Sequence, residues 1–284
     1  MFLAQLTNEL VKLFGKKRTY IGFGAFVLMQ ITVMYFFRHS HARENLEKML
    51  GSNGYLASEY MSALTVSIIM LFPQVVLLMP LYVALVGGDL VAKEAEDGTL
   101  RMILSRPISR VRLLTVKWIG GIIFSTVLVV VLGAIALLAA RTLFPWKGMF
   151  VFGNTQTGPD GTIFSAFSAS QGMRLYAFSV LFMVMNAVTL LSVAFMFSSF
   201  NMKPAAATIL ALSYLFMNMV MQHIPLFEQY QNWFVTYHFE SWFLIFQQPT
   251  PWSQLLQSQI TLIAISTTAF IIGAAGFQVR DIKS

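Results

Sequence analysis

Six stretches of this chain run without a single charged residue: Thr19 to Phe37 (19 residues), Ser62 to Gly87 (26), Trp118 to Ala140 (23), Leu175 to Phe200 (26), Ala205 to Met221 (17) and Leu255 to Phe277 (23). A helix needs roughly 17 to 25 apolar residues to cross about 30 Å of hydrocarbon, so each stretch predicts one crossing. β-Barrel spans would alternate in hydrophobicity, whereas runs such as Val127-Leu128-Val129-Val130-Val131-Leu132 are apolar on every face. Only 11% of the residues are charged, against about 25% in soluble domains, which excludes a water-soluble single domain. The expectation is an all-α membrane protein, residues 1–284 forming one six-helix domain. The first stretch is read as a retained span, because no convincing small-residue cleavage site follows it.

The charge distribution orients these spans. With six crossings both termini share a side, and that side carries 13 of the 19 basic residues, among them Lys12, Lys16, Lys17, Arg18, Lys93, Arg101, Arg106, Arg110, Arg112 and Lys117. Acidic residues divide evenly, six to each side. The excess of Lys and Arg places both termini in the cytoplasm. A net charge of +7 distributed in this way points to a membrane surface and not to nucleic acid. The absence of Cys removes disulfides, thiolate metal sites and Cys nucleophiles together.

Residues 1–18 precede the first span, and within them Phe2, Leu3, Leu6, Leu10, Leu13 and Phe14 recur at helical spacing while Gln5, Asn8, Glu9 and Lys12 fall on other faces. This pattern predicts an interfacial helix along the inner leaflet, with Lys16, Lys17 and Arg18 at the headgroups. On the opposite side, the middle connection around Gly153 to Gly161 reads as a turn-rich excursion. Residues 222–254 hold ten aromatics within 26 positions, including Trp233 and Trp242, and Pro225, Pro249 and Pro251. A helix lying in or dipping into the outer leaflet is expected there, with those tryptophans as interfacial anchors.

Several chemistries are missing. No G-x-x-x-x-G-K-[ST] occurs, so ATP must be hydrolysed by another polypeptide and the chain itself is expected to bind no cofactor. The spans as drawn lack ionisable residues, which disfavours an ion-coupled carrier and intramembrane proteolysis. Their polar groups, Gln30, Gln74, Asn186, Asn218 and Gln259, are expected to bond between helices. His39 and His41 lie near Glu44 and Glu47 without a metal-ligand spacing, so no metal site is assigned.

The segment joining spans two and three, residues 89–114, is longer than a simple connection requires. Its acidic end breaks at Asp97-Gly98, and a short helix over Thr99 to Ser105, with Thr99 as N-cap, is predicted to follow. Pro107 ends that helix and Ser109 caps the next. Glu94, Gly98-Thr99, Leu100 and Leu104, Pro107-Ile108-Ser109-Arg110 and Lys117 together make this stretch resemble the ABC-2 family of ATP-binding-cassette permeases. The resemblance is dense over about 25 residues and elsewhere architectural.

It implies the type V exporter-like arrangement: a permease subunit of an ABC exporter in a bacterial inner membrane, working beside a second copy or paralogue. It further implies a separate ATPase dimer that binds ATP and Mg, with Glu94, Glu96, Gly98, Thr99, Leu100, Arg101, Leu104, Pro107, Ser109 and Arg110 as the coupling element. An extracytoplasmic accessory protein is left open. The fifth span, with Ala205-Ala206-Ala207 and Asn218, is the candidate contact between permeases. The rival readings are a membrane scaffold recruiting a cytoplasmic partner through the same basic loop and, less favoured, a secondary carrier.

Overall fold

A computed structural model describes residues 2–39, 41–52, 54–105, 108–154 and 162–279. Helix α1 (Phe2–Gly15) leads into α2 (Lys17–His39) through a corner at Lys16, where the Thr19 hydroxyl donates to the Leu13 carbonyl at 2.6 Å and satisfies one open acceptor of α1. Two short helices, α3 (Ala42–Ser52) and α4 (Ala57–Tyr60), precede the second spanning unit. That unit is α5 (Ala63–Pro73), a single π-turn (Gln74–Leu78) and α6 (Met79–Glu96). Pro73 and Pro80 flank the π-turn; each lacks the N–H that a continuous helix would use, and the widened turn absorbs the mismatch. The short helix α7 (Thr99–Leu104) is followed by α8 (Arg110–Leu143), α9 (Ala169–Ser199), α10 (Pro204–Gln222), α11 (Val235–Phe239) and α12 (Trp252–Val279). Among the described residues, six helical units are long and apolar enough to cross a membrane, in the order that the hydropathy predicts.

Two of them outrun their apolar stretches the furthest. The second continues to Glu96 and the third begins at Arg110, so Asp89, Lys93, Glu94 and Lys117 sit on spanning helices. The turn-rich excursion is more ordered than its composition indicates. Strands β1 (Met149–Asn154) and β2 (Thr162–Phe167) pair antiparallel with Phe152 opposite Phe164, and the Phe150 amide donates to the Thr65 hydroxyl at 2.9 Å. The aromatic alternation flanking the Gly and Asn residues is the hairpin signal. Most of its tip, 155–161, lies outside the described residues.

Helix α9 is the axis of the bundle and the most buried of the six spans. Small and hydroxylated residues let neighbours approach it closely. The Tyr176 hydroxyl donates to the Gly133 carbonyl of α8 at 2.7 Å, Trp118 Nε1 donates to Ser192 Oγ at 2.9 Å, and Thr189 Oγ1 reaches the Leu262 carbonyl of α12 at 3.2 Å. Ser198 Oγ accepts from the Val91 and Ala92 amides and donates to the Gly88 carbonyl, which pins α9 to α6. The amides behave as expected: Gln30 Nε2 donates to Gln74 Oε1 and to the Leu132 carbonyl, and Gln259 Nε2 to Ser241 Oγ.

Gly87 and Gly88 set the spacing of α6 against both neighbours. A Cβ on Gly87 would lie 2.8 Å from the Leu191 carbonyl oxygen of α9, and one on Gly88 would lie 3.0 Å from the Thr208 amide nitrogen of α10. Backbone cannot yield as a flexible side chain does. Gly87→Ala is therefore expected to cost about 1–3 kcal/mol by overpacking, read as a lower melting temperature of the purified chain. An unchanged melting temperature would refute this packing.

Candidate coupling site on the terminus face

Helix α1, the end of α6, helix α7, the start of α8 and the end of α12 meet on one face of the bundle. Gln5, Glu9 and Lys12, spaced i, i+4 and i+7, lie on the side of α1 that meets α6 and α8, with Glu9 buried and Lys12 at the exposed rim. Arg112 Nε donates to Gln5 Oε1 at 3.1 Å, and Lys117 Nζ lies 3.1 Å from Glu9 Oε1 and 2.8 Å from Glu94 Oε1. Lys12 Nζ completes the cluster 3.2 Å from Glu94 Oε1.

Two carboxylates thus face two ammonium groups, and the cluster is neutral as a whole. The Lys117 side chain is only 1% exposed. An isolated charge at that burial would be prohibitively costly, and its pairing with both carboxylates makes the position tenable. Arg18 pairs in the same manner with Asp89 of α6. Just above lies an aromatic layer in which Phe124 of α8 meets Phe14 of α1 and Tyr82 of α6, at ring separations of 5.1 and 6.2 Å. Helix α1 is therefore fastened to the bundle by a polar row below and an aromatic layer above, while Leu3 and Val11 remain exposed on its outer side.

The residues expected to form a coupling element divide by direction. Gly98 adopts φ 72°, the left-handed conformation that favours glycine, and reverses the chain between α6 and α7. Thr99 is not the N-cap of α7: Gly98 holds that position, and the Thr99 hydroxyl donates back to the Glu94 carbonyl at 3.2 Å, bracing the turn. Ser109 does cap α8, accepting from the Arg112 amide. Leu100 is buried and roots α7 in the core, whereas Glu96, Arg101 and Met102 face outward. Glu94 turns inward, its carboxylate lying inside the ion cluster with Lys12 and Lys117. Arg110 also turns inward, where its guanidinium donates to the Phe277 and Gln278 carbonyls at the end of α12. Arg106, Pro107 and the Leu104 side chain lie outside the described residues.

Sequence reasoning passed over Met102, which is 65% exposed at the tip of the turn, and the row formed by Gln5, Glu9 and Lys12. The spacing of that row was the available signal. Between α1 and α7 a groove of about 420 Å³ opens beside Met102 and Lys12.

The anchors are corrected as well. Lys17 is exposed, but Arg18 is engaged by Asp89, and burial, with Arg18 nearby, pulls the Lys16 ammonium below its usual pKa. On the opposite face the aromatic segment is not one helix but three short ones: Pro225–Trp233, α11 and Glu240–Phe246. Trp233 is 83% exposed, as an interfacial ring would be, whereas Trp242 is buried against Phe72 and Phe243. Its run, Trp242-Phe243-Leu244-Ile245-Phe246, is apolar at every position and folds inward against α9 and α12. Asn218, expected to bridge two permeases, bonds within the chain, accepting from the Val235 amide at 3.2 Å.

The family model of the ABC-2 family transporter protein matches residues 7–275, nearly the whole chain and all of the site just described except Gln5, Phe277 and Gln278. The chain belongs to the ABC-2 transporter family. No curated protein matches it. Proteins of this family are membrane components and are not themselves catalytic. In this ABC-2 protein the polar row, the Gly98 turn and α7 form one connected unit on the face where both termini lie.

On the far face, His238 lies at the junction of the inward-folding segment. Its Nε2 is 3.0 Å from the Asn232 carbonyl and its Nδ1 is 3.1 Å from Ser258 Oγ of α12. The neutral ring satisfies both, with Nε2–H donating and Nδ1 accepting. Burial pushes its pKa below the usual 6.5, outweighing the opposing pull of the Asn232 carbonyl. A lowered folded-state pKa means that the unfolded segment binds the proton more readily. Stability contributed by His238 is accordingly present above about pH 6.5 and lost as pH falls through the lowered value. Protection factors of the amides in residues 225–246, with the intrinsic pH dependence of exchange divided out, are expected to fall between about pH 7 and pH 5 in the native chain and to lose that dependence in His238→Gln. Identical pH profiles for both proteins would reject the assignment.

Proposed function

We propose that this ABC-2 protein is the permease subunit of an ATP-driven exporter, with α7 as the element that receives force from a separate ATPase. The observation that carries the reading is the two-sided character of α7. Met102 and Arg101 project outward, while Leu100 is held in the core and Glu94, one turn before Gly98, is joined through Lys117 to Glu9. A displacement of α7 would move α6, α8 and α1 together, because the connections among them are buried ion pairs and aromatic packing.

ATP-driven closure of the partner ATPase dimer would press on α7 from each of two permeases, rocking their helices about the pathway between them. Nucleotide shifts that balance only as far as the docked ATPase binds the two states differently. ATP and Mg belong to the ATPase, and the permease contributes no catalytic residue. The exposed side of α10, with Ile209, Phe216 and Val220, is the surface we assign to the second permease or paralogue. The positive excess beside α1, α7 and the start of α8 supports a cytoplasmic position for both termini in a bacterial inner membrane.

Affinity purification of the chain from its native membrane tests the reading, followed by ATP-dependent efflux measurements in vesicles. Recovery of a P-loop ATPase in equal amount and loss of efflux when that ATPase is inactivated are expected. A stable, correctly inserted chain recovered without any ATPase would overturn the proposal in favour of a scaffold.

A further inference from the structure

A second cavity, of about 310 Å³, lies in the far half of the bundle, bounded by the π-turn, α9, α10 and the inward-folding aromatic segment. Its walls are largely apolar, with Phe72, Val76, Leu215 and Phe243 among the lining residues. Against them stand two buried polar side chains. Asn186, 1% exposed and midway along α9, donates through Nδ2 to the Phe239 carbonyl at 2.7 Å, and its Oδ1 has no partner among the described residues. Thr236, 8% exposed, likewise has no partner for its hydroxyl among the described residues.

A buried acceptor without a donor is unfavourable, and a bound N–H restores what desolvation removed. The Glu240 carboxylate also lines the cavity and already accepts from Gln222 Nε2 at 3.2 Å. The basic group among the lining residues is His223, an exposed residue whose Nδ1 is 2.7 Å from the Met219 carbonyl. Asn186 Oδ1 and the Glu240 carboxylate can only accept, and the one ionisable acid among the lining residues would repel an anionic guest. Of the exposed lining residues, Phe72, Val76 and Met219 are apolar and His223 is polar, so most of the cavity's opening is apolar.

We propose that this cavity binds an amphiphile arriving through the bilayer, its apolar body against Phe72, Val76 and Phe243 and its protonated amine held by Asn186, Thr236 and Glu240. A volume near the lower end of the range for small-molecule sites suits one short alkyl chain or ring system. Only the interpretation of this ligand as cargo rests on the exporter reading; the binding itself requires no ATPase.

The test uses the full chain in phosphatidylcholine nanodiscs and tritiated decylamine as probe, read by scintillation proximity. Saturable binding is expected, displaced by unlabelled decylamine but not by decanoate, which has the wrong charge, or by decyltrimethylammonium, which has charge without an N–H. Thr236→Val, which keeps the side-chain shape, and Glu240→Gln are each expected to weaken binding about tenfold, the usual scale for one lost polar contact in a buried site. Equal displacement by all three amphiphiles, or unchanged affinity in both variants, would overturn the proposal. Repeating the titration in nanodiscs containing phosphatidylethanolamine distinguishes the source of the amine. Competition by that lipid makes its headgroup the occupant, whereas its absence leaves a free amphiphile, and either result upholds amine recognition. Failure to find a partner ATPase would remove the exporter reading and leave these binding results intact.

Discussion

Lys117→Met is expected to destabilise the protein by about 3–5 kcal/mol, because it leaves the Glu9 and Glu94 carboxylates close together in a buried site with only Lys12 to balance them. That loss is a large part of the 5–15 kcal/mol that typically separates folded from unfolded states. The measurement is thermal unfolding of the purified chain, with proteolysis near Gly15 reporting whether α1 has detached. Charge balance, and not bulk, should govern the result. Lys117→Met combined with Glu94→Gln leaves Glu9 paired with Lys12 and should recover much of the loss, since the remaining cluster is again neutral. A single mutant as stable as the native chain, or a double mutant worse than the single, would show that the cluster does not hold α1.

Met102→Asp should act in the opposite manner, with little effect on folding and a large effect on partner binding. Met102 is 65% exposed, so an aspartate there remains solvated and the bundle keeps its packing. If α7 docks into a groove on the ATPase, burial of a new charge at the centre of the contact should cost at least about 2 kcal/mol, equivalent to roughly a thirtyfold weaker complex. Met102→Leu should bind almost normally. Quantitative co-purification with the ATPase, together with the melting temperature of the permease alone, separates the two effects. Normal recovery of the complex with Met102→Asp would remove α7 from the docking role.

These two positions also mark the boundary of what the sequence determined by itself. Hydrophobic run length was enough for the six candidate crossings, because a helix long and apolar enough to span a bilayer is recognisable from its composition alone. The reversal at Gly98 and the Ser109 cap were equally legible, since each rests on the local conformational preference of one or two residues. The bonding of Gln30, Gln74 and Gln259 between elements followed from the cost of an unpaired amide among apolar helices.

Tertiary structure alone decided which way the charged and aromatic side chains turn. Lys117 meets Glu9 across 108 positions, Lys12 meets Glu94 across 82, and Arg110 reaches Phe277 across 167. Such pairs depend on helix crossings that no local pattern encodes, and for that reason the internal bonds of Glu94 and Arg110 were not legible in the sequence. Trp242 and Asn218 were misplaced for the same reason. An aromatic ring suits an interface or a core equally well, and an amide suits a partner chain or its own backbone equally well. Packing of α9, α10 and α12 around the inward-folding segment settled both, placing Trp242 beside Phe72 and Asn218 on the Val235 amide.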